Sequence, residues 1–112
     1  MILVATSAWS GWLIGSPTGE AVAGHLPEQE AWVVPTNVQL ELARWFAREV
    51  GEDKADQVIA FTQICGVAPL DTKIALPAAE ACREHKLATA DAIILATARA
   101  HRATLRTCDA HF

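Results

Sequence analysis

The sequence predicts an α/β domain, a central parallel sheet of about four strands flanked by helices on both faces. Three observations predict it. Four short β-favouring runs recur at 1–4, 31–34, 67–70 and 104–107, and the first three are apolar throughout, as strands covered on both faces are. The segments between them carry helical periodicity or helix punctuation. Those segments are also too long for hairpins, so each strand is reached by a crossover that returns it parallel to the last.

Taken in order, the first strand, 1–4, runs into Ala5-Thr6-Ser7. Thr6 or Ser7 can cap a helix over 8–14, in which Trp9 and Trp12 share a side. Gly15-Ser16-Pro17 breaks that helix, with Ser16 as cap and Pro17 opening a second one over 18–26. Pro27 ends it, and the second strand, 31–34, is closed by Pro35. Thr36 or Asn37 is the expected cap of a third helix running to 50. Val38, Leu42, Trp45, Phe46 and Val50 form its apolar stripe.

Gly51 stops the third helix, and Asp53 starts a fourth over 53–64 that Gly66 ends. After the strand at 67–70, Asp71 precedes a helix over 72–86 whose first half Pro77 should disturb. The last helix, 89–102, leads into the last strand, 104–107. The pattern reads β-α-α-β-α-α-β-α-α-β over one domain, 1–112.

Composition narrows the possible functions. Of 112 residues, 52% are hydrophobic, so the chain can bury a core. A net charge of −4 argues against nucleic-acid binding through bulk positive field alone, and leaves room for a local basic patch. Three cysteines, Cys65, Cys82 and Cys108, without C-x-x-C spacing read as reduced thiols of a cytoplasmic protein. No apolar run is long enough for a membrane span, and no basic residue precedes the apolar start as in a signal peptide.

In an open parallel sheet, ligands bind beyond the carboxyl ends of the strands. Four acids are expected at that rim. Asp91 lies in the first turn of the last helix, which runs back from the rim. Asp109 follows the last strand. Glu41 borders the apolar stripe in the second turn of the third helix, and Asp71 follows the third strand. Each has a plainer explanation: a charge favoured at a helix start for Asp91, a flank position for Glu41, a turn for Asp109, a cap for Asp71. Glu49, near the helix end, should reach solvent. Convergence favours function for Glu41, Asp91 and Asp109, because grouped carboxylates repel unless a cation lies among them.

Such oxygen ligands suit Mg²⁺ or Mn²⁺. The scattered histidines and cysteines do not suit zinc. There is no P-loop, no G-x-G-x-x-G and no G-x-S-x-G.

T-A-D-A-I-I-L-A-T-A at 89–98, T-C-D-A-H-F at 107–112, V-P-T-N-V-Q-L-E-L-A-R at 34–44 and I-L-V-A-T-S-A-W at 2–9 together resemble PIN-domain ribonucleases of the VapC and FitB type, the toxins of type II toxin–antitoxin pairs. The resemblance covers nearly the whole chain and implies a three-layer PIN-like fold. It implies that Glu41, Asp91 and Asp109 are metal-binding, catalytic acids. The fourth acid of the family, an aspartate after the first strand, is Ala5 here. Ala has no ligand atom, so metal affinity and turnover should fall sharply. We read Ala5 as an engineered inactivation, since the neighbouring residues match the family; a natural pseudoenzyme is the alternative. The family also continues past the last motif into another strand, so the sheet is expected to be one strand short or cut there.

The resemblance further implies Mg²⁺-dependent RNA hydrolysis, an antitoxin partner that binds DNA and lays its tail in the active-site groove, and homodimers or toxin–antitoxin hetero-oligomers. Ser7 and Thr107 are candidate supporting hydroxyls. Arg44, Arg48, Arg99, Arg102 and Arg106 are candidate phosphate contacts, and among the four tryptophans some are candidate interface anchors. Two rivals stay open. One is a catalytically silent PIN-fold interaction module, which Ala5 favours. The other is a receiver-like signalling domain using Asp71, which Ala5 and the lack of a lysine after the last strand disfavour.

Overall fold

The computed structural model describes residues 1–13 and 32–107. The helix expected over 18–26 and the motif residues from Cys108 onward, Asp109 included, lie outside the described residues.

Four strands, β1 (Ile2–Val4), β2 (Trp32–Pro35), β3 (Gly66–Ala68) and β4 (Thr104–Arg106), form one sheet in the order β3-β2-β1-β4. Every pairing is parallel, with Ile2 opposite both Trp32 and Thr104, and Pro35 opposite Ala68. The described helices are α1 (Thr6–Leu13), α2 (Thr36–Glu49), α3 (Glu52–Gln63), α4 (Thr72–His85) and α5 (Thr89–Ala100). The strand order steps one way from β1 to β3 and then returns across β1 to β4. Right-handed crossovers therefore place α1 to α3 on one face and α4 and α5 on the other.

The core follows from this layering. Leu3, Val4 and Val34 of the sheet are buried with Val38, Leu42 and Phe46 of α2 and with Ile94 and Ala98 of α5. Trp9 and Trp32 are core residues, set edge to face with each other at 5.1 Å and with Phe61 at 5.6 and 5.9 Å. A second cluster fills the seam between α4 and α5, where Ala78 and Ala81 meet Ala92 and Ala96. Small residues let these helices approach closely. Cys65 is buried, its Sγ donating to the Phe61 carbonyl at 3.6 Å, and Cys82 is half-buried.

Several boundaries differ from expectation, each for a local reason. α1 begins at Thr6, so Thr6 and Ser7 are helical residues and not caps. The Ala5 carbonyl accepts from the N–H groups of Ala8 and Trp9 at 3.0 and 3.1 Å. α2 is entered from Pro35, whose φ of −63° and ψ of 144° turn the chain straight into the helix. Thr36 instead accepts from the Leu70 N–H at 3.3 Å, joining the start of α2 to the end of β3. α3 starts one residue before Asp53, after Gly51 at φ +145°.

β3 is shifted toward its N-terminus, because Pro69 has no N–H to donate and Leu70 is exposed. Gly66, expected to end a helix, is the first residue of β3 instead. A side chain there would meet the Trp32 carbonyl oxygen at 3.1 Å. Pro77 does not interrupt α4; it is an exposed residue inside a continuous helix. Asp71 caps α4 as expected, its Oδ1 accepting from the Ile74 N–H at 3.2 Å.

Candidate active site

All strands being parallel, Val4, Pro35, Ala68 and Arg106 end on one rim. α1 and α2 start there directly. α5 precedes β4 and runs the opposite way, so its first turn reaches the same rim. Asn37, in the first turn of α2, donates through Nδ2 to the Ala90 carbonyl at 3.4 Å. The starts of α2 and α5 are thereby joined, and each carries an acid one step further along: Glu41 lies one turn after Asn37, and Asp91 follows Ala90.

Both carboxyl residues are half-buried. The Glu41 carboxyl is pushed above the usual glutamate range, chiefly by burial. The Thr6 side chain lowers it as a hydrogen-bonding dipole, the Asp91 charge raises it, and Arg44 lowers it. The Thr6 dipole does not complete the shell. Thr6 Oγ1 and Glu41 Oε1 are both buried atoms without a hydrogen bond of good geometry among the described residues. An unsatisfied carboxylate oxygen beside a second acid is a costly arrangement for a protein alone. It fits a hard divalent cation, which would supply the missing partner and offset the repulsion.

Ala5 lies between these acids and the other side of the rim. Its N–H donates to the Arg106 carbonyl at 2.8 Å, and the residue is 3% exposed. Across the point where the strand order reverses, the hydroxyls of Ser7 and Thr107 are 3.1 Å apart. The structure therefore brings Glu41 and Asp91 together and sets Ser7 beside Thr107. Asp109 falls outside the described residues, and those residues alone contain no group of three or more metal-ligating side chains.

Asp71 is exposed and spends a carboxylate oxygen on its own helix. Glu49 pairs with Arg48 at 2.8 Å, both in solvent. Asp71 thus has the plainer of its two expected roles, the cap of α4.

Thr6, Asn37 and Trp45 are site residues that the sequence did not single out for this role. Thr6 and Asn37 looked like caps and Trp45 like core. Their spacing from Ala5 and Glu41, +1 for Thr6, −4 for Asn37 and +4 for Trp45, was the available signal. Thr6, Glu41, Arg44, Trp45 and Arg48 line a cleft of ≈ 190 Å³.

The model of the PIN domain family matches residues 2–112. The chain is a PIN domain. Its fold is similar to solved structures of low sequence identity. A toxin–antitoxin complex from Klebsiella pneumoniae is 22% identical, with a TM-score of 0.82 over 97% of this chain and 87% of that one. VapC20 of Mycobacterium tuberculosis, described as a toxin that cleaves the sarcin–ricin loop, is 19% identical, with a TM-score of 0.82 over 98% and 91%. FitAcB of Neisseria gonorrhoeae is 24% identical, with a TM-score of 0.77 over 97% and 88%. No curated protein matches the sequence. No helix among the described residues of this PIN domain is long and apolar enough to cross a membrane.

Proposed function

We propose that this PIN domain is a metal-dependent ribonuclease of the toxin–antitoxin type, with turnover impaired by Ala5. The observation that carries the reading is Glu41: half-buried at the rim, raised in pKa by burial and by Asp91, and with a buried oxygen that Thr6 does not satisfy with good geometry. Glu41 and Asp91, with Asp109, are the residues that would hold Mg²⁺ or Mn²⁺. When bound, the ion supplies a Lewis acid for an RNA phosphodiester and lowers the pKa of a water.

The chain's own groups do the rest. Glu41 and Asp91 are set close enough for the Asp91 charge to act on the Glu41 carboxyl, and a site held by the fold needs little reorganisation at the moment of reaction. Ser7 and Thr107 hold each other's hydroxyls at the rim and can orient a water. Position 5 contributes only its backbone, and the missing carboxylate weakens the donor set. One fold neighbour is a toxin–antitoxin complex, which supports a protein partner for this chain. Cytoplasmic action and a dimeric or hetero-oligomeric assembly belong to the same proposal.

The experiment is Mg²⁺-dependent cleavage of RNA by the chain and by Ala5→Asp. The variant should gain activity that EDTA abolishes and that Glu41→Gln or Asp91→Asn removes. A second reading, a silent module that binds only a partner protein, is favoured by Ala5. It prevails if Ala5→Asp neither cleaves RNA nor binds Mg²⁺ or Mn²⁺.

A further inference from the structure

The cleft beside Glu41 runs on from the acid pair along α2. Four of its five lining residues, Glu41, Arg44, Trp45 and Arg48, follow one another at i, i+3, i+4 and i+7 along a single ridge of α2. The ridge leads away from the acid pair. Arg44 and Arg48 are exposed; Arg44 acts on Glu41 by charge, and among the described residues Arg48 is engaged by its exposed neighbour Glu49, a contact that solvent weakens and a phosphate can replace. Trp45 is half-buried, and its indole is braced against the buried Phe46 at 4.8 Å and 77°. Trp9 and Trp32, by contrast, are sealed in the core.

Cations alternating with a rigid, open aromatic ring are the means by which proteins hold single-stranded nucleic acid. Guanidinium groups take phosphates and the ring takes a base face. A cleft of ≈ 190 Å³ has the space of roughly six waters at about 30 Å³ each. That suits one flat ring system and not a helix or a duplex.

We infer that the Thr6–Trp45 cleft is a nucleotide subsite for single-stranded RNA: the base next to the reacting phosphate stacks on Trp45, and Arg44 and Arg48 hold its flanking phosphates. This rests on the nuclease reading and adds where the strand runs, from the Glu41–Asp91 pair along α2. It makes Trp45 a positioning residue acting through substrate placement. A protein segment is the competing occupant, and two arginines flanking an aromatic ring, next to the acid pair, favour RNA.

The test uses the chain as it stands, whose Ala5 limits cleavage during binding. A labelled short oligouridylate is titrated by anisotropy, with indole quenching read in parallel. Trp45→Leu should weaken binding about tenfold and remove most of the quenching, while Trp45→Phe restores most of the affinity. Arg44→Gln should lower the slope of log affinity against log salt by about one. Arg83→Gln, a remote exposed cation on α4, should change neither. Melting temperatures check that each variant is folded.

Unchanged affinity in folded Trp45→Leu and Arg44→Gln overturns the inference. So does binding of an oligoglutamate peptide in the cleft with no binding of the RNA. The Ala5→Asp background separates the two readings. Cleavage there with the same KM in Trp45→Leu removes the subsite and leaves the nuclease. Trp45-dependent RNA binding without any cleavage removes the nuclease and leaves the subsite.

Discussion

Putting an aspartate at position 5 tests the acid pair through stability as well as through activity. Ala5 is 3% exposed, and the next residue's side chain, Thr6, bears on the Glu41 carboxyl. A carboxylate placed there gives up its hydration and joins Glu41 and Asp91 as a third negative charge. Burying an unpaired polar group costs about 1–3 kcal/mol in proteins, and a charge costs more. In EDTA, Ala5→Asp should therefore be about 3 kcal/mol less stable than the parent, or about 12 °C lower in Tm at roughly 4 °C per kcal/mol for a chain of this size. A divalent ion at 100 times its Kd returns about 2.7 kcal/mol, nearly the whole deficit. Thermal melts of the parent, Ala5→Asp and Ala5→Asn in EDTA and over a Mn²⁺ series read this directly. The asparagine variant has the same shape without the charge, so it should lose less and recover little. If Ala5→Asp melts with the parent in EDTA and ignores Mn²⁺, position 5 is not beside a cation site.

The burial of Glu41 gives a signed pH effect. Its native pKa lies above the ordinary 4.5, so it favours the folded state below pH 4.5, and that benefit is lost as pH rises through the native value. Glu41→Gln should flatten this part of the stability–pH curve and be the more stable chain at pH 7; superimposable urea-denaturation profiles at pH 4 and 7 would refute it. Asp71→Ala removes the cap bond to Ile74 and should cost about 1 kcal/mol in urea melts. It should leave cleavage by the Ala5→Asp chain unchanged, since Asp71 belongs to α4 and not to the acid pair. Phe46→Ala empties a fully buried site and should cost about 3–5 kcal/mol by the same measurement.

The fold was legible because its signals were periodic. Val38, Leu42 and Phe46 mark the buried stripe of α2 wherever that helix happens to begin. Boundaries were less legible because competing signals lay side by side. Thr6, Ser7, Thr36 and Asn37 all look like caps in sequence. In the fold, Ala5 and Pro35 turn the chain by backbone geometry, and the polar side chains are released to bind across the rim. Glu41 was legible as an acid at the edge of an apolar stripe. Its meeting with Asp91 depends on the reversal of strand order between β1 and β4, which no local pattern records. Trp45 was hidden for the opposite reason: its spacing fits the stripe, and only the tertiary packing shows it half-open between Arg44 and Arg48 on the ridge.

The rim is held by contacts that do not involve the acids. The Ala5 N–H binds the Arg106 carbonyl, Ser7 meets Thr107, Asn37 binds the Ala90 carbonyl and Leu70 binds Thr36. A chain with alanine at position 5 therefore keeps the scaffold and the α2 ridge while losing a charge at the centre. Binding and chemistry are separable on this architecture, and kinetics should show it. In RNA cleavage, Ala5→Asp should raise kcat and leave KM near that of the parent. Trp45→Leu on that background should raise KM with little change in kcat. An Ala5→Asp gain that fell wholly in KM would mean that the residue gathers substrate and does not complete a catalytic centre.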